Sequence, residues 1–306
     1  MTTQLNTLQE YKEAYEHSVK DPEGFWAKEA ETFQWEKKYD KVLDWNFEEP
    51  DVKWFLNGKL NITTNCLDRH IKDRGDQIAI LWEANDPDAP SITYTYKELL
   101  TEVCKCANGL KAQGITKGDR VVFYMPMIPQ LAIGLLACAR IGAIHSVVFA
   151  GFSAQALADR VDDASAKMIV CADYNNRGTK QIAVKKVVDD AMDLGCNSVE
   201  KVVVFKHTNL ELNWSDDVDI SWTDLIHNQS ESCTPELMDS EDMLFILYTS
   251  GSTGKPKGVV HTCGVIWCIL VTLSEMYFNI KKEIFIGVQR ILVGLLATPI
   301  LYMVRC

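Results

Sequence analysis

Residues 248–258 read Tyr-Thr-Ser-Gly-Ser-Thr-Gly-Lys-Pro-Lys-Gly and directly follow the short apolar run 244–247. The apolar run predicts a buried strand, and the segment after it is rich in hydroxyls, glycines and lysines. Glycines let backbone N–H groups approach an anion, hydroxyls donate hydrogen bonds, and lysines add positive charge. The stretch therefore predicts a flexible phosphate-holding loop that begins at the end of a strand.

Two other kinds of phosphate loop are excluded by spacing. A Walker loop needs four residues between its glycines, followed by Gly-Lys-Ser/Thr, whereas Gly251 and Gly254 are separated by two residues and Pro256 follows Lys255. A dinucleotide fingerprint needs Gly-x-Gly-x-x-Gly at the start of a helix, which this stretch lacks. The simpler alternative is an ordinary Gly/Ser surface loop, but the ordered mixture of hydroxyls, glycines and lysines after an apolar strand argues against it.

The chain before the loop alternates between predicted strands and predicted helices. A capping box at Thr95 and Glu98 predicts a helix that ends near Gly114, and Ser153 is a candidate N-cap. The other elements are strands at 78–82, 120–124, 146–149, 168–171 and 201–205, and helices at 129–139 and 181–194. This alternation predicts an α/β fold with a mostly parallel sheet covered by helices on both faces. Ligands of such sheets bind beyond the carboxyl ends of the strands, which is where the loop lies.

Two segments depart from this alternation. Residues 11–60 carry eleven Phe, Tyr and Trp side chains without a regular period. We expect this aromatic-rich segment to bury its rings one at a time over another domain, with a helix opening at Asp21. The polar and acidic segment 207–240 is expected to be a surface excursion anchored by Trp214 and Trp222.

Composition limits the function classes. The 306 residues are 47% apolar and carry a net charge of −11, which indicates a globular chain and argues against a general nucleic-acid binder. The ten cysteines show no Cys-x-x-Cys pair or metal-ligand spacing, so we expect reduced, mostly buried thiols and no metal site. Residues 1–12 lack an apolar targeting core. We therefore expect a cytoplasmic protein with neither a nucleic-acid nor a membrane partner.

The loop sequence resembles the phosphate loop of the adenylate-forming (AMP-binding) superfamily. Further stretches resemble one branch of it, the acetyl-CoA synthetases (acetate–CoA ligases, AMP-forming). These stretches are 65–70, 124–127, 137–143, 145–149 and 151–153. The resemblance runs from about residue 11 to Gly264. It implies an N-terminal segment at 11–67 followed by a partial AMP-binding domain at 68–264.

The resemblance also implies a reaction and its site residues. ATP and acetate would form acetyl-adenylate, which the CoA thiol then attacks, and Mg²⁺ would accompany ATP. The implied ATP phosphate loop comprises Thr249, Ser250, Gly251, Ser252, Thr253, Gly254, Lys255, Lys257 and Gly258. The family's acid pocket and its catalytic lysine belong to sequence beyond Gly264, so no catalytic residue is assigned here.

A second basic stretch is similar to the family's binding segment for the nucleotide part of CoA. It comprises Arg177, Gly178, Thr179 and Lys180. Thr179 stands where the family has glycine, and Lys180 keeps a positive charge without the bidentate fork of an arginine. A solvated basic loop remains the alternative interpretation of this stretch.

After Gly264 the resemblance stops, and 28 of the 42 residues from 265 to 306 are apolar. Codons exist for residues 288–306 that, in another reading frame, spell Thr-Ala-Asp-Ile-Gly-Trp-Val-Thr-Gly-His-Ser-Tyr-Ile-Val-Tyr-Gly-Pro-Leu, which resembles a later block of the same family. The same shift turns residues 265–268 into Gly-Tyr-Met-Val. We therefore interpret 265–306 as an out-of-frame tail. A membrane span is disfavoured because the apolar run 291–304 is shorter than the roughly 20 residues that a spanning helix needs.

Three hypotheses about function remain open from the sequence. The chain is a fragment of an acetate–CoA ligase, a fragment of a ligase for another small acid such as propionate, or a catalytically silent fragment. The first two share every motif quoted above, because the residues that select the acid lie beyond Gly264 in the family. Assays against both acids would separate them.

Overall fold

The computed structural model describes residues 5–84, 88–177, 180–206, 208, 210–249, 256–265 and 268. The described residues divide into two compact units. The first unit contains the described residues up to His70, the segment Leu237–Met243, and those from His261 onward. The second contains Ile71–Glu236 and Leu244–Val260.

The helices and strands are numbered in chain order. The α-helices are α1 (Leu8–Lys20), α2 (Pro22–Ala30), α3 (Ile62–Cys66), α4 (Ile71–Arg74), α5 (Tyr96–Ala112), α6 (Pro129–Arg140), α7 (Ala154–Ala164), α8 (Val184–Leu194) and α9 (Trp222–Ile226), with a 3₁₀ turn at Asp68–His70. The strands are β1 (Lys41–Asn46), β2 (Asp51–Leu56), β3 (Lys59–Leu60), β4 (Ile78–Trp82), β5 (Ile92–Thr95), β6 (Arg120–Tyr124), β7 (Ile144–Val147), β8 (Met168–Ala172), β9 (Tyr174–Arg177), β10 (Lys180–Ala183), β11 (Lys201–Phe205), β12 (Asp219–Ser221), β13 (Met238–Asp239), β14 (Met243–Thr249) and β15 (Lys257–Thr262).

The second unit is built on a seven-stranded sheet with the order β12-β11-β8-β6-β7-β14-β15. The pairs β12–β11, β11–β8, β8–β6, β6–β7 and β7–β14 are all parallel. The inner strands β6 and β8 are almost wholly apolar and buried, as a sheet covered on both faces requires. The predicted α/β fold with a mostly parallel sheet flanked by helices is confirmed.

Successive residues of β6 show the two covered faces. Val122 and Tyr124 pack into a buried cluster with residues of α7 and α8. Phe123, between them, points to the opposite face and meets α6 at Gly134, where an added Cβ would lie 2.4 Å from the Phe123 ring. The helix can approach the sheet this closely because residue 134 has no side chain.

The strongest local predictions agree with the structure. The Thr95 side chain accepts from the backbone N–H of Glu98, and the Glu98 carboxylate accepts from the backbone N–H of Thr95, so the capping box opens α5 as predicted. Ser153 caps α7 and Asp21 caps α2. Helix α6 is buried along almost its whole length, in keeping with its apolar sequence. Strands β4, β6 and β11 have the predicted bounds.

Three predicted segments differ from the structure. The strand predicted at 146–149 lies at 144–147, because the polar residue His145 is inside the sheet rather than before it. The helix predicted at 181–194 begins at Val184, because 180–183 pair with β9 as strand β10. The segment 207–240 is not wholly a surface excursion, since it supplies sheet strand β12 and helix α9. Trp222 in α9 is buried, as an anchor should be.

The first unit holds the aromatic-rich segment, and its rings pack chiefly on one another. Trp35, Tyr39 and Phe55 form a triangle with ring centroids 5.0–5.4 Å apart. Trp45 and Phe47, on the β1–β2 hairpin, are exposed, with Phe47 85% accessible. The expectation that the rings are buried one at a time is therefore wrong for this segment, because clustered rings shield each other.

The described cysteines are all buried, and none of them forms a disulfide in the described part of the chain. They are Cys66, Cys104, Cys106, Cys138, Cys171, Cys196, Cys233, Cys263 and Cys268. Among the described residues, no helix is both long enough and apolar enough to cross a membrane.

Candidate phosphate and nucleotide site at the carboxyl edge of the sheet

The parallel strands of the second unit end at one edge of the sheet. Their last residues are Tyr124, Val147, Ala172, Phe205 and Thr249. Because β6, β7, β8, β11 and β14 run in the same direction, the segments that follow them meet at this edge. Both basic stretches singled out in the sequence belong to it, one following β14 and the other following β8.

The phosphate loop connects two neighbouring strands. Thr249 is the last residue of β14 and is exposed, and Lys257 and Gly258 begin β15. The connection is too short for a parallel crossover, so β14 and β15 form a hairpin whose strands lie about 4.8 Å apart. Lys257 is exposed and forms no ion pair with another described residue. The other predicted loop residues, 250–255, lie outside the described residues.

Tyr248 stands at the entry to the loop and is held by helix α7. Its hydroxyl donates a hydrogen bond of 2.7 Å to Oδ2 of Asp163. Burial, together with this hydrogen bond to a carboxylate, raises the pKa of Tyr248 well above its ordinary value. An added Cβ at Gly258 would lie 3.3 Å from a ring atom of Tyr248. The ring therefore lies beside both the first and the last part of the loop.

The predicted CoA segment lies in the hairpin formed by β9 and β10. Arg177 and Lys180 are cross-strand partners in its antiparallel register. Gly178 and Thr179, which connect them, lie outside the described residues. The hairpin is joined to the segment after β7, since the Asn175 side-chain amide donates to the Ala150 carbonyl at 3.3 Å.

A buried carboxylate fixes the base of this hairpin. Asp173 has no exposed surface and immediately precedes β9. Its Oδ2 accepts from the backbone N–H and from the hydroxyl of Thr208, at 2.8 and 2.7 Å, and its Oδ1 accepts from the N–H of Tyr174. Asp173 therefore connects the segments that follow β8 and β11.

A buried ion cluster lies directly after the hairpin, at the start of α8. Lys185 Nζ is 3.0 Å from Oδ2 of Asp219 in β12 and also donates to Asp189 one turn along α8. Burial acts to lower the pKa of Lys185, but the two carboxylates outweigh it, and the pKa is raised. The cluster holds α8 against the edge of the sheet next to the hairpin.

Phenylalanines occupy the segment after β7, between the two basic stretches. Phe149 and Phe152 meet edge-to-face with ring centroids 5.6 Å apart. The Tyr124 hydroxyl donates to the Phe152 carbonyl at 2.7 Å, and burial raises the pKa of Tyr124 to about 12. In the order β8-β6-β7-β14, the strands that lead into the two basic stretches are three strand spacings apart, or about 14 Å.

The described residues contain no cluster of three or more His, Cys, Asp or Glu side chains that could hold a metal ion.

Comparison with known proteins identifies the family. Residues 67–293 match the family model described as AMP-binding enzyme, and residues 11–66 match the model for the acetyl-coenzyme A synthetase N-terminus. The chain belongs to the AMP-binding enzyme family. The first match extends to residue 293, beyond Gly264, where the resemblance was expected to end. The out-of-frame interpretation of 265–306 stays a prediction.

Curated members of the family resemble most of the chain. It is 51% identical over 268 residues to the acetyl-coenzyme A synthetase of Syntrophobacter fumaroxidans, and 50% identical over 268 residues to that of Bdellovibrio bacteriovorus. Each alignment covers 87% of this chain and 41% of the relative. The chain thus matches the N-terminal part of acetyl-CoA synthetases and spans less than half of their length.

A solved structure of the family has the same fold. The acetoacetyl-CoA synthetase from Streptomyces lividans superimposes with a TM-score of 0.79 at 25% identity. The superposition covers 87% of this chain and 40% of that one.

Proposed function

We propose that the chain is the N-terminal part of an AMP-forming acetate–CoA ligase. The observation that carries this proposal is the identity of about half of all aligned residues to curated acetyl-CoA synthetases, over 87% of the chain. The strand–loop–strand arrangement of the phosphate stretch supports it. The proposed substrates are ATP, acetate and CoA, and the proposed location is the cytoplasm, where reduced thiols are usual.

In the proposed reaction, an acetate oxygen attacks the α-phosphorus of ATP, and the bond to the bridging oxygen breaks to release pyrophosphate. The phosphate loop neutralises the charge that this leaving group carries. Its side-chain donors are Thr249, Ser250, Ser252, Thr253 and Lys257, assisted by the backbone N–H groups of Gly251 and Gly254. Mg²⁺ is proposed to arrive on the ATP phosphates, because Mg²⁺ commonly binds through substrate phosphates and few protein ligands.

In the second half-reaction, the thiol sulfur of CoA attacks the acyl carbon of the adenylate, and AMP leaves. Arg177 and Lys180 are proposed to bind the phosphates of the nucleotide part of CoA, with Gly178 and Thr179 forming the connection between them. The proposal draws support from the cross-strand register of Arg177 and Lys180, which brings two cationic residues to one place on the hairpin.

ATP binding tests the phosphate-loop part of the proposal directly. The 306-residue chain and two single-charge variants, Lys257→Ala and Lys72→Ala, are titrated with ATP by calorimetry. Lys72 is an exposed lysine of the same unit and far from the loop in sequence. We expect Lys257→Ala to weaken binding and Lys72→Ala to bind like the parent. Equal affinities for all three would show that Lys257 is only a solvated lysine.

Turnover tests the acid and the reaction. A gene restored to the proposed reading frame is assayed for AMP release with acetate and with propionate, since the solved neighbour is named for another acid, acetoacetate. In the restored enzyme, Lys257→Ala should raise the free-energy barrier to adenylate formation by roughly 2.7–4 kcal/mol. We expect faster turnover with acetate, whereas faster turnover with propionate would reassign the acid. Pyrophosphate exchange within threefold of the parent would contradict the role of Lys257.

A further inference from the structure

Arg160 is a buried cation beside the phosphate loop. It lies on α7 and is only 9% exposed. Its guanidinium carbon is 4.9 Å from the ring centroid of Phe152 and 5.5 Å from that of Tyr248. Its Nη1 donates to the carbonyl of Ala156, one turn back along the helix, so the side chain runs towards the N-terminus of α7 and the carboxyl edge of the sheet.

The described groups in contact with this guanidinium are aromatic rings and a backbone carbonyl. Arg160 forms no ion pair within the described part of the chain, and its Nε and Nη2 donate to no described residue. Two acidic side chains lie near it on α7: Asp159 acts on Arg160 through its charge, and Asp163 accepts from the Tyr248 hydroxyl. Burial lowers the pKa of Arg160 from its ordinary value, and the neighbouring Asp159 acts in the opposite direction. The desolvated cation–π contacts offset part of the cost of burial. The guanidinium is therefore held chiefly against two aromatic rings, one of which is Tyr248.

The ring that Arg160 contacts touches both ends of the loop. Tyr248 is bonded to Thr249, the first residue of the predicted phosphate loop. The same ring lies against Gly258, where β15 begins. A shift of the Tyr248 ring would therefore displace both strand ends between which residues 250–256 run.

We propose that Arg160 is a positioning residue of the phosphate loop. Its guanidinium holds the Tyr248 ring, and through that ring the two ends of the loop, in the arrangement that binds a nucleoside triphosphate. This inference rests on the proposed function, because it takes the loop to be an ATP-binding element.

The test measures ATP affinity and folding separately. Arg160→Met keeps the aliphatic stem and removes the charge, Arg160→Lys restores a cation, and Tyr248→Leu removes the ring. Arg74→Met removes one arginine from the same unit and serves as the charge-matched control. Each chain is titrated with ATP at a temperature where circular dichroism shows it to be folded.

Arg160→Met is expected to raise the Kd for ATP about tenfold, or 1.4 kcal/mol. Arg160→Lys should recover part of the affinity, and Arg74→Met should bind like the parent. Because Arg160 acts through the Tyr248 ring, Tyr248→Leu should weaken binding to a similar extent, and the double variant should be little worse than either single one. A lowered melting temperature with unchanged affinity would instead show that Arg160 only supports the fold.

A folded Arg160→Met chain with a Kd within twofold of the parent would overturn the proposal, and additive losses in the double variant would do the same. If Arg160→Met does not fold, Tyr248→Leu decides: unchanged affinity overturns the proposal and tenfold weaker binding supports it. Failure of the proposed function looks different. In that case the parent itself does not bind ATP, or Lys257→Ala binds as the parent does, and this inference falls with it.

Discussion

Tyr248 and Asp163 are 85 residues apart in the chain, and their side chains form a hydrogen bond of 2.7 Å. The bond joins the last turn of α7 to the end of the strand from which the phosphate loop begins. Burial and the Asp163 carboxylate both raise the pKa of Tyr248 from 10.0. The contact therefore favours the neutral phenol and places a polar link at the root of the loop.

Tyr248→Phe should lower the free energy of unfolding by about 1 kcal/mol, because the ring remains and one hydrogen bond is lost. The contribution of the phenol is present below pH 10.0 and should diminish as the pH rises above that value, since the folded-state pKa is raised. Urea denaturation at pH 8 and at pH 10.5 measures both effects. Tyr15→Phe, on an exposed helix face, is the control. A Tyr248→Phe loss that is the same at both pH values would contradict this account.

Lys185→Met should destabilise the second unit by about 3–5 kcal/mol, because it leaves the carboxylate of Asp219 buried and unpaired. The side chains of Lys185 and Asp219 are 3% and 2% exposed. The neighbouring Lys186→Met removes an exposed ion pair with Asp190 and should cost less than 1 kcal/mol. Chemical denaturation of both variants makes the comparison. Similar decreases in the free energy of unfolding for the two variants would show that the buried cluster stabilises the fold no more than the exposed ion pair does.

His145 should make the fold sensitive to acid. Burial lowers the pKa of His145 from 6.5 to about 3, and neither ring nitrogen has a hydrogen-bond partner in the described structure. Below pH 6.5 the unfolded chain therefore binds a proton that the folded chain does not. The free energy of unfolding should fall by about 1.4 kcal/mol per pH unit as the pH decreases towards 3.

The His145→Leu variant separates this effect from general acid unfolding. Its stability, measured by urea denaturation from pH 7 to pH 4, should decrease less steeply than that of the parent, by close to one proton. The exposed His227 provides the control variant His227→Leu, which keeps the buried imidazole in place. Parallel pH profiles for the parent and His145→Leu would rule out a buried neutral imidazole.

The reading frame around codon 264 yields the fourth prediction. Adding or removing one base there should open a long frame that resembles the remainder of an acetyl-CoA synthetase. Sequencing of the gene and its transcript checks this, and the absence of such a frame downstream would refute it.

We also expect that the 306-residue chain releases no acetate-dependent AMP, whereas the restored enzyme does. Turnover within tenfold of the restored enzyme would show that residues 265–306 are functional sequence.

Local sequence signals predicted much of the second unit. Strand β6 is an apolar run between polar residues, and the capping box at Thr95 and Glu98 marks the start of α5. Such signals involve residues a few positions apart, so they survive in the sequence alone. The displaced β7 shows the limit of this approach: a histidine inside a buried strand looks like a loop residue until the sheet is assembled.

The candidate site was only partly predictable, for a different reason. The phosphate loop is one continuous motif, and its position after a strand could be inferred directly. The partners of Tyr248 lie on α7, more than 80 residues earlier, and nothing in the spacing of Arg160 or Asp163 points to that strand. Lys185 and Asp189 could be paired by their helical spacing, but Asp219 could not. Contacts between distant segments depend on topology, which local patterns do not encode.

The buried cysteines can serve as natural probes of local unfolding. Thiol reagents react with an exposed thiolate. Burial covers the sulfur atoms and raises the pKa of Cys138 and Cys171, and it raises the pKa of Cys196 to about 11. Each thiol therefore reacts when the structure around it opens. These three cysteines lie in the second unit, whereas Cys66 lies in the first. Alkylation rates, followed peptide by peptide in a mass spectrometer, would rank the opening free energies of the two units without any engineered probe.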